Sequence, residues 1–376
     1  MNTKKNAGIA GIIVVVIIAT VITINLQSEQ NNVSLSSQSN ENIGLVINTP
    51  STEITIQQLD RIYQEASNTG IGRSNAYLFW NLVEPEKGVY NFKDSDILMS
   101  LNKKYNLKVT LYFSLINGKT LGPFPSWIGK PSLVSIPEDH LVNILDAILS
   151  RYDIVDTLII AGETDEHFRY QEYDIEVYKK LFNDVYSKVK EKHPNVKIGN
   201  AFSLHGIINK NLDHIVKELA VGDFIAFTYF PVDSLNEIAK TPEEAKKDLE
   251  KIFEIVPDSK IAIFEFSWST SDFVGGDKKS QAEFLKNAFD FYKQNESKIE
   301  FFTWFRQYDR PLETCKIDTE VIEGSVSIES DSGLGGSEFV IERLNHYLCN
   351  AGLIDVTGNY KEGWKEFQNQ LNKINS

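Results

Sequence analysis

Two cysteines, two methionines and six histidines in 376 residues leave little material for several kinds of chemistry. Two cysteines cannot build a four-thiolate zinc site or a disulfide-dense mini-domain. The histidines, at 140, 167, 193, 205, 214 and 346, never fall in an HxH or HExxH spacing, so no metal centre is expected. No GxSxG turn presents a serine nucleophile, and neither GxGxxG nor GxxxxGK[ST] offers a phosphate cradle, so no cofactor is expected either. Positive charge is also in deficit: 38 Lys and Arg against 52 Asp and Glu leave a net charge of −14 and a pI near 5.0. That argues against nucleic acid as a partner, because such affinity comes mostly from Lys and Arg neutralising phosphates. What the chain does have is core material. Its 42% hydrophobic and 24% charged residues are the balance of a folded globular protein.

One apolar run stands apart. Residues 7–24, AGIAGIIVVVIIATVITI, carry no charge and follow Lys4 and Lys5 directly. At about 1.5 Å per residue this stretch is near the lower limit for crossing a bilayer core as a helix. The basic flank predicts a cytoplasmic N-terminus with the rest of the chain outside the cell. The following INLQSEQNNVSLSSQSNEN shows no small-x-small cleavage pattern, which favours an uncleaved anchor over a signal peptide. Secretion after cleavage is the alternative. The chain therefore divides into a transmembrane signal-anchor (1–26) that engages the lipid bilayer, a Ser-, Asn- and Gln-rich tether (27–42) and an external domain (43–376). Lys and Glu balance before residue 42, so the whole of the −14 belongs to the external domain.

From residue 43 onward, short β-branched or aromatic runs alternate with amphipathic stretches, which predicts β/α units around a parallel sheet. Eight strand candidates emerge, at 43–47, 72–79, 108–114, 157–161, 197–201, 224–229, 260–264 and 300–304. Helices are expected from about Ile56, Ser95, Glu138, Ile175, Lys210, Pro242, Ser280 and Gly336. Eight strands each followed by a helix predict an α/β fold of the (β/α)8 TIM-barrel type. An open doubly wound sheet ordinarily has a Gly-rich turn after its first strand, where this chain has Asn48-Thr49-Pro50.

Active sites of this barrel gather at the C-terminal ends of its strands. The fourth candidate runs into Gly162-Glu163-Thr164-Asp165-Glu166 and the seventh into Phe264-Glu265-Phe266. A single Glu after a strand is ordinarily a helix cap or a surface ion pair. Two at matching depth on opposite sides of a closed ring suit acetal hydrolysis, in which one carboxyl protonates the leaving oxygen and the other stabilises or attacks the anomeric carbon.

With Trp80-Asn81-Leu82-Val83-Glu84-Pro85-Glu86-Lys87-Gly88-Val89-Tyr90-Asn91-Phe92 after the second strand and Phe301-Phe302-Thr303-Trp304-Phe305 at the eighth, the chain resembles the clan of retaining (β/α)8 glycoside hydrolases. That clan includes cellulases, xylanases, endo-galactanases and β-galactosidases. The resemblance implies a carbohydrate substrate, a β-linked oligo- or polysaccharide, with Glu163 as acid/base and Glu265 as nucleophile. One position departs from the pattern: most members have Asn before the acid/base Glu, where its amide bonds the substrate's 2-hydroxyl, and this chain has Gly162. The third strand also ends Tyr112-Phe113-Ser114, without the basic or imidazole side chain often found there. A catalytically inactive TIM barrel that binds carbohydrate or a surface partner is therefore the second reading.

Aromatic rings at strand ends can cover the apolar faces of sugars. Trp80, Trp268, Trp304 and Tyr229 are the candidates, with Arg306 as a polar contact and Arg73, Gln307 and Asp309 as lesser ones. The competing role for each aromatic is packing between barrel and helices. Glu84 and Glu86 are expected to serve loop structure. Cys315 and Cys349 are expected to pair if the domain faces an oxidising exterior.

Overall fold

The computed structural model describes residues 39–315, 324–327 and 338–376. The candidate membrane span lies outside the described residues, and among those described no helix is long and apolar enough to cross a membrane.

Eight strands form the barrel: β1 (Asn40–Leu45), β2 (Ile71–Leu78), β3 (Lys108–Asn117), β4 (Val155–Gly162), β5 (Lys197–Ser203), β6 (Phe224–Tyr229), β7 (Ile261–Phe266) and β8 (Ile299–Trp304). Each pairs in parallel with its sequence neighbours, and β1 pairs with β8, so the ring is closed. β1 begins at Asn40, inside the stretch expected to be tether, because Asn40 aligns with Ile71 and its N–H bonds Gly70 O at 3.1 Å.

The helices on the outside include α1 (Ile56–Ser67), α2 (Lys93–Lys104), α3 (Glu138–Arg151), α4 (Ile175–Lys192), α5 (Asp213–Glu218), α6 (Pro242–Glu250), α7 (Lys278–Asn295) and α8 (Glu362–Ile374). Their starts follow local chemistry. Thr55 with Gln58 and Thr241 with Glu244 form reciprocal capping boxes at α1 and α6, and Asp277 accepts from Ser280 N at α7. A shorter helix, Glu338–Cys349, precedes α8.

Two apolar layers hold these parts together. Inside the ring, Tyr112, Ile159, Ala201, Phe224, Ala226, Ala262, Phe264 and Phe301 form one cluster, while the outward strand residues join the helices in a larger one. The floor is closed by Arg73, which is thereby removed from the candidate substrate contacts. Its guanidinium pairs with Asp156 at 3.1 Å, bonds Thr110 Oγ1 at 2.8 Å and lies 5.1 Å over the Phe301 ring.

Cys315 and Cys349 are joined in a disulfide, with Cα atoms 5.6 Å apart and 34 residues between them in sequence. Around the bridge, Phe230, Val232, Val274, Tyr347 and Leu348 make a separate apolar cluster that seats the Glu338–Cys349 helix. Closing a loop of this length is worth about 4 kcal/mol in the chain-entropy account. Replacing both cysteines by Ser is therefore expected to destabilise the domain by roughly 2–4 kcal/mol in urea titrations. An unchanged midpoint would show that the bridge adds nothing.

Candidate active site

The fourth strand delivers Glu163 in an unusual conformation. After Gly162 the chain turns left-handed at Glu163, with φ 51° and ψ 42°, before the one-turn helix Thr164–Phe168. A non-glycine residue rarely adopts such dihedrals, and residues held there cluster at functional sites. The turn is held from behind: Asp165, fully buried, accepts a 2.6 Å bond from Ser203 N at the end of β5.

Glu265 reaches the mouth by a different device. Strict alternation would put Phe264 and Phe266 on one face and Glu265 on the other, yet Phe264 belongs to the inner cluster while Phe266 packs outward on Phe284 of α7. The pairing of β7 with β6 slips between Phe227–Ile263 and Thr228–Glu265. This bulge lets Phe264 and Glu265 both line the mouth. Asn75 Nδ2 donates to Phe264 O at 3.1 Å, and Tyr77 Oη donates to Glu265 Oε1.

Glu163 and Glu265 line one cavity of about 370 Å³ together with Tyr112, Gly162, Phe264 and Phe305. Its far wall includes Phe230 and, from the helix that the disulfide ties down, Val340, Leu344 and Leu348. Neither glutamate takes part in an ion pair among the described residues. Burial, reinforced by the negative charge of Glu166 and moderated by Lys210, pushes the Glu163 carboxyl up to about 7. Glu265 is also pushed up to about 7 by burial; the Tyr77 hydrogen bond opposes the shift, the Glu163 charge adds to it, and Arg306 opposes it. Two carboxyls poised near neutrality in one cavity can hold one proton between them, which is what paired acid and nucleophile chemistry needs.

Tyr77 and Asn75 were not among the residues singled out from the sequence, yet their signal is there. Arg73, Asn75 and Tyr77 are polar positions at spacing two in β2, and all three point into the ring: one at the floor, one at mid-height and one at the mouth. Because the Tyr77 hydrogen bond favours ionised Glu265, Tyr77→Phe is expected to move the acidic limb of the kcat/KM profile to higher pH by about one unit. A drop in rate with the limb in place would reduce Tyr77 to a packing residue.

Four expected sugar contacts are elsewhere. Trp304 is fully buried and packs on Phe266 and Phe284, and Trp268 likewise stacks against Phe284. Tyr229 is buried with its hydroxyl on Asp248 Oδ2 at 2.8 Å. Trp80 packs against Phe113, Phe124 and Trp127. None of the four lines the cavity. In β8, Phe301 faces in and Phe302 faces α7, so period two sends Trp304 outward and brings Phe305 to the mouth. The sequence could not settle this face, because both sides of a barrel strand are apolar.

The Trp80-to-Gly88 motif has a structural explanation. Trp80 Nε1 donates to Glu84 Oε2 and Gly88 N to Glu84 Oε1, both at 2.8 Å, while Trp127 Nε1 reaches Glu84 O at 3.2 Å. Glu84 thus pins its loop, as expected. Gln307 and Asp309 are also structural: Gln307 bonds Glu65 at 2.9 Å, and Asp309 pairs with Lys361 at 2.7 Å. Arg306 is buried beside the site and acts on Glu265 through its charge. With Tyr77 and Phe305 it also walls a second cavity, of about 240 Å³, at the ends of β1 and β2.

No protein-family model matches the chain, and no curated protein matches it by sequence. Solved structures share its fold. GH5_18 from Streptomyces cattleya, solved in complex with GlcNAc, superposes with a TM-score of 0.64 at 12% identity over 90% of this chain and 81% of that one. Xylanase 10B from Thermotoga maritima gives 0.58 at 16% identity over 88% and 95%. The exo-beta-1,4-mannosidase from Opitutaceae bacterium strain TAV5 gives 0.63 at 13% identity over 91% and 62%. The fold is thus the (β/α)8 barrel found in these glycoside-hydrolase structures.

Proposed function

We propose that the chain is a retaining β-glycosidase acting on a β-linked oligo- or polysaccharide. The observation that carries this reading is the pair Glu163 and Glu265, set at the ends of β4 and β7 around one open cavity and both raised toward neutrality. The fold shared with a xylanase and an exo-mannosidase supports the same class.

In the proposed cycle, Glu265 attacks the anomeric carbon while Glu163 gives its proton to the departing oxygen, breaking the glycosidic bond and forming a glycosyl ester. Glu163, now ionised, takes a proton from water, whose oxygen bonds the anomeric carbon and frees Glu265. Two inversions give net retention. The test is a chromogenic-glycoside and oligosaccharide screen of residues 39–376, with NMR of the first-formed anomer. Inversion, or binding without turnover, would reject the double displacement, and the latter outcome would favour the silent carbohydrate-binding barrel.

We further propose that this domain faces the cell exterior, held by an N-terminal anchor at residues 7–24. The Cys315–Cys349 disulfide supports an oxidising compartment. Protease added to intact cells should cleave the domain, and full protection would reject this placement.

A further inference from the structure

The second cavity, of about 240 Å³, has no part in the cycle above, yet it shares a wall with the catalytic one. Phe305 lines both, and Tyr77, which bonds Glu265, lines the second. From there the cavity runs outward between the ends of β1 and β2 and the helices α1 and α2, which contribute Leu59 and Leu98. Protein interiors keep few voids larger than a water molecule, so a hollow of this size is not ordinary packing.

The lining says what fits. Val46, Ile47, Leu59, Leu78, Leu82 and Leu98 supply hydrocarbon. The polar side chains among them are engaged with the protein: Asn48 exchanges two hydrogen bonds with the Tyr308 backbone, at 2.9 and 3.0 Å. Asn102 accepts from Ser74 Oγ at 2.6 Å and donates to Leu98 O at 2.9 Å, and Ser95 Oγ donates to Phe92 O at 3.1 Å. A sugar ring here would leave its hydroxyls unpaired, a cost that hydrocarbon does not incur. An apolar cavity of about 150 Å³ holds benzene, so this one has room for a short alkyl chain or one aromatic ring. Of its lining residues, only Arg306 and Asn75 keep a buried polar atom without a hydrogen-bond partner, Nε and Oδ1. Both stand at the catalytic end, where Arg306 lies 4.2 Å over the Phe305 ring and Asn75 Nδ2 bonds Phe264 O at 3.1 Å. Polar at the catalytic end and hydrocarbon beyond is the order of an acyl group attached to a sugar.

The displacement fixes which sugar carries it. Glu265 attacks one face of the anomeric carbon while the leaving oxygen departs from the other, toward Glu163. The second cavity adjoins the Glu265 side and Glu163 does not line it, so a group entering it belongs to the sugar that Glu265 attacks. We propose that this cavity is an acyl subsite, which receives the hydrocarbon of an acyl group carried on that sugar as an ester or amide, with the carbonyl toward Arg306. This rests on the glycosidase reading above and names its substrate class: sugars acylated on the glycone rather than bare ones.

The test compares the best aryl β-glycoside of the screen with its mono-O-butanoyl esters, one for each free hydroxyl, and with its 2-butanamido-2-deoxy analogue. At least one acylated form is expected to exceed the parent in kcat/KM by about tenfold or more, and which form it is tells ester from amide. Leu98→Phe and Ile47→Phe fill the cavity from α2 and from the end of β1, and neither residue lines the catalytic cavity. Once thermal melts confirm folding, either variant is expected to cut the ratio of acylated to parent kcat/KM by about fivefold or more. No gain from any acyl group, or a ratio unchanged in the folded variants, would overturn the subsite while leaving the glycosidase reading intact. Should the wild type turn over no glycoside, calorimetric titration with the same compounds decides. Tighter binding of an acylated form, lost in the filled variants, would keep the cavity as an acyl site and reject only the glycosidase reading, whereas equal binding of all forms would reject both.

Discussion

Glu265→Gln is expected to lower kcat by at least about 10⁴-fold and, in the same protein, to raise the melting temperature. The rate effect follows from losing the covalent step, since an amide oxygen is too weak a nucleophile to replace a carboxylate. The stability effect follows from burial. Glu265 is only 8% exposed, and its carboxyl moves from an ordinary 4.5 to about 7 in the folded chain. Between those values the folded state holds a proton that the unfolded state has released, so stability is fullest below about pH 4.5 and declines as pH rises through 7. At about 1.4 kcal/mol per pH unit, ionising Glu265 at pH 8 costs roughly 3–4 kcal/mol. The neutral amide of the Glu265→Gln variant carries no such penalty and can still accept from Tyr77. Denaturant titrations should therefore show the variant and wild type close together at pH 5 and separated at pH 8. A gap independent of pH would reject the buried-carboxyl account, and retained turnover would remove Glu265 from the nucleophile role.

Glu163→Ala is expected to lose activity in a way that depends on the leaving group. A sugar or alkyl leaving oxygen needs a proton as its bond breaks, so kcat/KM should fall by about 10²–10⁴-fold. A dinitrophenolate leaves without help and should show a much smaller loss in the same parameter. Its turnover should then stall at the glycosyl ester, because no base remains to activate water. Added azide needs no base: its nitrogen bonds the anomeric carbon, the ester bond to Glu265 breaks, and a glycosyl azide of retained configuration forms. Equal losses on both kinds of substrate, with no azide product, would take the acid/base role from Glu163.

Much of this architecture was legible one residue at a time. Runs such as Phe224–Tyr229 coincide with an observed strand, and the Thr241-Pro242-Glu243-Glu244 start of α6 lies where its capping chemistry predicts. Glu163 and Glu265 could be picked out because a charged residue closing an apolar strand needs no knowledge of its neighbours. Trp304 and Phe305 show where such reading fails. Both are aromatic and adjacent, and which of them meets the cavity depends on the direction in which β8 leaves the ring.

The sequence by itself determined the number and order of the β/α units, the acidity of the domain, and the two strands that end in a candidate catalytic carboxylate, because periodicity and local capping are written in neighbouring residues. Tertiary structure alone decided what surrounds those carboxylates. The bulge in β7 turns Glu265 to the mouth, Tyr77 arrives from β2 to bond it, and Tyr112 from β3 takes the space that Gly162 leaves empty. These contacts join residues as far as 188 positions apart, and they exist only because the ring closes and brings the strand ends within hydrogen-bonding reach.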